Sequence, residues 1–201
     1  MNKIFNCGNC ESAFPILVSP FTIGNMKLKN RMVFPPMNTN YSNENGAVTA
    51  QMEEYYVRRA QGGVGMIVLE AVDVVEYSKN HGVQPMIYDN KFVPALANLI
   101  DRVHTYDTKV SIEIAHYGGE AGIGKRVSAS NVTTKDSDVE ELSKEGIDEI
   151  VSKFVKGIEL SRIAGVDAVT LHGHTDISWE NFYRHYTIKE PTSMAEIQRT
   201  G

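Results

Sequence analysis

The sequence predicts an α/β fold with parallel strands, about the first four βα units of a (β/α)8 (TIM) barrel. Three observations predict it. Short apolar runs alternate with helix-period segments in the order β-α-β-α-β-α-β, which calls for a parallel sheet with right-handed crossovers. The second run, 64–70, is apolar almost throughout, as a parallel strand covered on both faces has to be. Helix starts and stops stand where the alternation needs them, at Pro94, Ser143, Gly62-Gly63 and Gly165. A complete barrel typically needs about 250 residues. This chain has 201, and its four strands correspond to about half of one.

Element by element, residues 1–15 read as a flexible N-terminal extension. Cys7 and Cys10, the only cysteines, form a C-x-x-C pair there. No second Cys/His pair completes a zinc set, so no metal site is expected. Phe21 to Lys29 is hairpin-like. Met32–Phe34 reads as a buried first strand, ended by Pro35 and Pro36 because proline has no N–H to give a ladder. The main-chain groups of Met37 and Asn38 are then left to face a ligand. Thr49 to Ala60 reads as a helix with Met52, Tyr55 and Tyr56 on one side, stopped by Gly62-Gly63. The second strand covers 64–70. Pro94 opens the second helix, whose Leu96, Leu99, Ile100 and Val103 form one apolar stripe. Lys109–Ala115 is the third strand, followed by a long polar loop from Tyr117 to Val139. Ile147, Ile150, Val151, Phe154, Val155 and Ile158 predict a third amphipathic helix capped by Ser143. Gly165 stops it, and Ala168–His172 is the fourth strand. Barrel units are assigned to 16–190, and 191–201 is a tail.

Composition narrows the function classes. The chain is 42% hydrophobic and 22% charged with a net charge of −5, ordinary for one globular core. An acidic chain without a dense Lys/Arg cluster argues against nucleic acid as a partner. No apolar run approaches the roughly 20 residues that span a bilayer, and the N-terminus lacks a secretory h-region. The cytoplasm is the default location. Four strands leave two open sheet edges, an association hazard unless another copy covers them, so a homo-oligomer is among the expected partners.

Function is read at the strand ends, because barrel chemistry collects at the C-terminal face. The run Ile-Gly-Asn-x-x-Leu-Lys-Asn-Arg-Met-Val-x-x-Pro-Met (23–37) resembles the start of the old yellow enzyme family of FMN-dependent ene-reductases, and the likeness extends to about residue 190. The resemblance implies FMN as cofactor, NAD(P)H as reductant and a small-molecule substrate, an activated alkene. It assigns cofactor contacts to Pro36, Met37 and Asn38 after the first strand and to Ala71 after the second. Glu70 beside it reads equally as a salt-bridged strand terminus. The third strand carries Glu113-Ile-Ala-His116-Tyr-Gly118, where the family pattern is Gln-Leu-x-His-x-Gly-Arg. Glu113 therefore stands where the family's glutamine amide meets the flavin's pyrimidine edge. An amide both donates and accepts, whereas an ionised carboxylate only accepts. Either Glu113 is protonated, or the flavin sits differently, or it binds poorly. His116 reads equally as a structural histidine.

The fourth strand ends in His172-Gly173-His174-Thr175-Asp176-Ile177, against the family's His-Gly-Ala-His/Asn-Gly-Tyr-Leu. The resemblance implies that His172 polarises the acceptor, with Thr175 or His174 as partner. Ile177 replaces the proton-donating tyrosine and cannot donate a proton. These departures support a second hypothesis, a catalytically silent half-barrel acting as a binding or assembly module. Separately, Gly119 to Lys125 fits Gly-x4-Gly-Lys, the start of a phosphate-binding loop. Arg126 replaces its Ser/Thr, and no helix start follows, so the segment is expected to border the cofactor pocket instead.

Overall fold

The computed structural model describes residues 13–80, 82–128 and 139–172. One helical turn, Pro15–Val18, precedes a hairpin of β1 (Phe21–Ile23) and β2 (Met26–Leu28), antiparallel with Phe21 opposite Leu28. A two-residue strand, β3 (Val33–Phe34), leads through the Pro35-Pro36 loop to helix α1 (Ala50–Gln61). Thr49 caps α1, its hydroxyl accepting from the Met52 N–H, which satisfies one of the donors every helix start leaves open. β4 (Met66–Asp73) follows, then β5 (Ser78–Lys79), and helix α2 (Val93–His104) with Pro94 in its first turn. β6 (Lys109–Ala115) leads to β7 (Ile123–Gly124), β8 (Val127–Ser128) and β9 (Glu140–Glu141). Helix α3 (Lys144–Ile163), capped by Ser143 through the Gly146 N–H, runs into β10 (Ala168–Leu171). Gly63 and Gly165 take φ of +91° and +95°, turning the chain out of α1 and α3 where a side chain would be strained.

The main sheet has the order β10-β6-β4-β3, and every pair in it is parallel. Each strand thus lies beside its predecessor among the main-sheet strands, with one helix in each crossover. Ile67, Leu69 and Val72 of β4 and Val110, Ile112 and Ile114 of β6 pack on the helices in one core. That core includes Met52 and Tyr56 of α1, Leu96, Leu99, Ile100 and Val103 of α2, and Ile150 and Phe154 of α3. The opposite face carries a different set, including Met66 and Val68 of β4 with Ala168 of β10.

Four expectations need correcting. The first strand is not buried, since Val33 is 46% exposed; among the described residues β3 pairs on one side only, with β4. The second strand runs on to Asp73, not Glu70, because a bulge between Leu69 and Ala71 lets pairing with β6 continue. The segment 117–139 is not wholly loop: β7 pairs antiparallel with β5, and β8 pairs parallel with β9. Finally, the third helical stripe is divided. Ile150 and Phe154 are buried, while Val151 and Val155 are 43% and 52% exposed, because they lie on a flank of α3 against which no later element packs among the described residues.

Candidate active site at the C-terminal ends of the strands

The bulge in β4 decides which side chains reach the site. Before it, Met66 and Val68 face away from the helices and Ile67 and Leu69 face them. A bulge inserts one unpaired residue and so shifts the alternation by one. Glu70 is that residue, and beyond it Ala71 and Asp73 face away from the helices, opposite Glu113 and Ala115 of β6.

Glu70 consequently turns toward α1. Its carboxylate accepts the Thr39 N–H (3.0 Å), the Thr39 hydroxyl (2.6 Å) and the Tyr56 hydroxyl (3.1 Å). The same Tyr56 oxygen accepts the Glu70 N–H at 3.0 Å. Burial, and secondly the neighbouring carboxylate, push the Tyr56 phenol well above its ordinary range, so it remains a donor. Among the described residues Glu70 has hydrogen bonds and no salt bridge, and these bonds pin the loop carrying Pro36, Met37 and Asn38 to β4 at its bulge.

On the face away from the helices, Glu113 is opposite Ala71 on one side and Thr170 on the other. Its Oε1 lies 3.1 Å from His172 Nδ1. One step below, the Ser111 and Thr170 hydroxyls are hydrogen-bonded at 2.9 Å. Ala71, Ala115, Tyr117 and Ala121 form a small buried cluster beside this pair. The side chains of Asn38 and Gln84 lie near the Tyr117 hydroxyl and favour its ionised form, so the loops after β3, β5 and β6 come together there. Burial, reinforced by the charge of Asp73, raises this phenol to about 12.

Ala71, Glu113 and His172 are therefore brought together, with Asn38 near Tyr117. Pro36 is half-buried, while Met37 next to it is 55% exposed. His116 is not part of the group. It is fully buried, edge-on to Tyr77 with ring centroids 6.4 Å apart, and burial lowers its pKa to about 4, which favours the neutral ring. His174, Thr175 and Ile177 lie outside the described residues, as do Cys7 and Cys10. The Gly119–Arg126 segment has no loop-to-helix cradle. Gly124 belongs to β7, and Lys125 Nζ lies 3.0 Å from a Glu140 carboxylate oxygen.

Reasoning from sequence missed Asp73 and Tyr117. Asp73 is fully buried; one oxygen accepts the Val75 N–H at 3.1 Å, and Oδ2 has no hydrogen-bond partner among the described residues. Burial raises its pKa well above the ordinary carboxylate range, against the pull of the Val75 and Val74 N–H groups. An acid inside the apolar run 66–75 was the available signal. For Tyr117 the signal was alternation, since 113, 115 and 117 share one face of an extended segment.

A family model described as "NADH:flavin oxidoreductase / NADH oxidase family" matches residues 16–189. An NADH oxidase of Thermoanaerobacter brockii is 38% identical over 168 residues, covering 80% of this chain and 26% of the relative. An NADPH dehydrogenase of Listeria welshimeri is 34% identical over 161 residues, covering 78% of this chain and 47% of the relative. The chain thus spans less than half the length of these relatives. Among solved structures, the old yellow enzyme from Trypanosoma cruzi superposes with a TM-score of 0.80 at 23% identity, over 90% of this chain and 57% of that one. Morphinone reductase gives 0.79 at 18% identity, over 87% of this chain and 52% of that one. At such identities the structural likeness shows the fold, a parallel α/β arrangement.

Proposed function

This chain belongs to the NADH:flavin oxidoreductase / NADH oxidase family, and from that premise we propose that it forms the first four βα units of an FMN-binding (β/α)8 barrel. Residues 16–190 make up this unit, 1–15 an extension and 191–201 a tail. The activity is that of an NAD(P)H-dependent oxidoreductase of the ene-reductase type. The observation that carries the reading is the gathering of Ala71, Glu113 and His172 on one face at the C-terminal ends of parallel strands, where barrels do their chemistry.

FMN, reduced by NAD(P)H, supplies the hydride for an activated alkene. The residues present fit that cofactor. Ala71 and Ala115 present only small side chains at the strand ends, and Met37 and Asn38 of the loop after β3 are exposed. Glu113 is acceptor-only, but His172 engages its carboxylate, so the anion does not confront the cofactor alone. His172 orients and polarises the acceptor, a contribution of about 3–4 kcal/mol for one well-placed donor. Thr175 or His174 is its partner in holding the substrate. Small-molecule substrates are the partners; the acidic chain does not favour nucleic acid. The cytoplasm is the proposed location. A second copy covers the β3 and β10 edges, which pair no further among the described residues, tested by sedimentation across a concentration series.

The test is spectroscopic. The purified chain, given FMN, is expected to take it up and become yellow, and NADPH added anaerobically is expected to bleach it. A protein that takes up no FMN ends this reading. It would favour the second one, a catalytically silent binding or assembly module, which the replacement of a family amide by Glu113 supports.

A further inference from the structure

We propose that the Tyr56 hydroxyl is a positioning group for the C-terminal face of the sheet. From helix α1 it holds the bulge of β4 and, through Glu70, the loop that carries Met37 and Asn38. The bulge creates the need. Pairing of β4 with β6 passes from Leu69 to Ala71 without Glu70, and a bulged residue is left unpaired in the ladder. The buried Glu70 N–H donates instead to the Tyr56 hydroxyl at 3.0 Å. A hydroxyl can accept and donate at once, and this one gives its hydrogen to Glu70 Oε1 at 3.1 Å. Tyr56 and Glu70 are 0% and 1% exposed, so water offers neither group a substitute. Without that hydroxyl a buried N–H would go unsatisfied, a cost that favours taking Glu70 back into the ladder. Loss of the inserted residue would turn Ala71 and Asp73 to the helix side.

The same carboxylate holds the loop. The Thr39 N–H donates to Oε2 at 3.0 Å and the Thr39 hydroxyl to Oε1 at 2.6 Å, and that hydroxyl oxygen accepts the Tyr41 N–H at 3.2 Å. Helix α1 grips this chain a second time at its own start, where the Thr49 hydroxyl donates to the Tyr41 carbonyl. The Tyr41 and Tyr55 rings meet edge-on, 5.6 Å between centroids. Thr39 follows Asn38 directly, so the loop is fixed one residue from its proposed cofactor contacts. That Ala71, Met37 and Asn38 meet FMN rests on the functional reading above. On that reading Tyr56, which packs in the core on the helix side, sets cofactor affinity without touching the cofactor.

The experiment compares Tyr56→Phe with the unsubstituted protein by amide hydrogen exchange, with no FMN added, and then by FMN titration. The Glu70 and Thr39 amides are expected to exchange at least about tenfold faster in the variant, relative to the amides of Leu99 and Ile100 in the core of α2. A merely structural loss would speed all of these together, through global opening. A uniform change, or none, therefore overturns the proposal. In a fluorescence-quenching titration the variant is expected to bind FMN about tenfold more weakly. Should the phenylalanine variant not fold, Thr39→Val breaks the same chain at its loop end. The Tyr41 amide, having lost its acceptor, is then expected to exchange faster and FMN to bind more weakly; an unchanged Tyr41 amide overturns the proposal. Selective exchange at Glu70 and Thr39 in a protein that takes up no FMN sustains this inference and ends the functional reading. FMN uptake with an affinity that Tyr56→Phe leaves unchanged does the reverse.

Discussion

The two ends of the parallel sheet treat a buried acid in opposite ways. At the N-terminal end, Asp167 accepts from Lys109 Nζ at 2.7 Å and from the Val110 N–H at 2.9 Å, with His104 Nε2 at 2.7 Å. Burial alone would raise its pKa, but the bonds from Lys109, Val110 and His104 outweigh burial and hold it below the ordinary value. Lys29 adds to the closure there, donating to the Tyr106 carbonyl and the Thr108 hydroxyl. At the C-terminal end, among the described residues, Asp73 has no cation bonded to it and one of its oxygens goes without a hydrogen bond, and burial raises its pKa. A saturated carboxylate stabilises a fold; an undersatisfied one costs stability. Such a cost is typical of a face kept for binding.

The largest expected effect comes from Glu70, where the C-terminal end borrows the bonding style of the other. Glu70→Ala would leave one buried and two part-buried donors without their acceptor. At roughly 1 kcal/mol or more each, a loss of about 3–4 kcal/mol is expected in urea unfolding. FMN uptake should weaken as well, because the loop carrying Pro36–Asn38 loses its anchor.

The pH dependence of stability should separate the two ends by sign. For Asp167, with a depressed folded pKa, the stabilisation is present above the unfolded value of about 3.9 and disappears as pH falls through the folded value. Asp167→Ala is therefore expected to cost about 2–3 kcal/mol at pH 7 and less in acid. For Asp73, with a raised folded pKa, stability is fully present below about pH 3.9 and is lost as pH climbs toward the folded value. Asp73→Asn should then stabilise the protein at neutral pH and change little in acid. Urea midpoints across a pH series would show curves of opposite slope; parallel curves would remove the contrast between the two ends.

A smaller effect is expected at Glu113. Glu113→Gln replaces an acceptor-only group with one that also donates, and should tighten FMN about tenfold, or about 1.4 kcal/mol, in a fluorescence-quenching titration. Least of all should come from Lys125→Ala. The Lys125 and Glu140 side chains are 49% and 63% exposed, so the change should stay within about 0.5 kcal/mol and leave nucleoside triphosphate binding unaltered.

Much of the fold was legible because periodicity and punctuation agreed. α2 has Pro94 in its first turn and buries Leu96, Leu99, Ile100 and Val103 as its spacing demanded. Thr49 and Ser143, both side-chain caps, lie at the expected helix starts. Burial was less legible, since spacing says which residues share a face and nothing about what covers it. Val151 and Val155 share the periodicity of Ile150 and Phe154 and end up exposed. The candidate site was half legible. Ala71, Glu113 and His172 were marked by resemblance, whereas the direction of Glu70 depends on a bulge that no local signal announced.

The amino-acid sequence by itself determined the order of strands and helices, where the helices begin and stop, and the family. Those properties depend on backbone chemistry and side-chain spacing within a few residues. Only the tertiary structure decided that Glu113 would meet His172, that Glu70 would bind Thr39 and Tyr56, and that Asp73 would be buried without a cation bonded to it. Each of these is a contact between separate elements, set by strand register and by one inserted residue that reverses which face a side chain occupies.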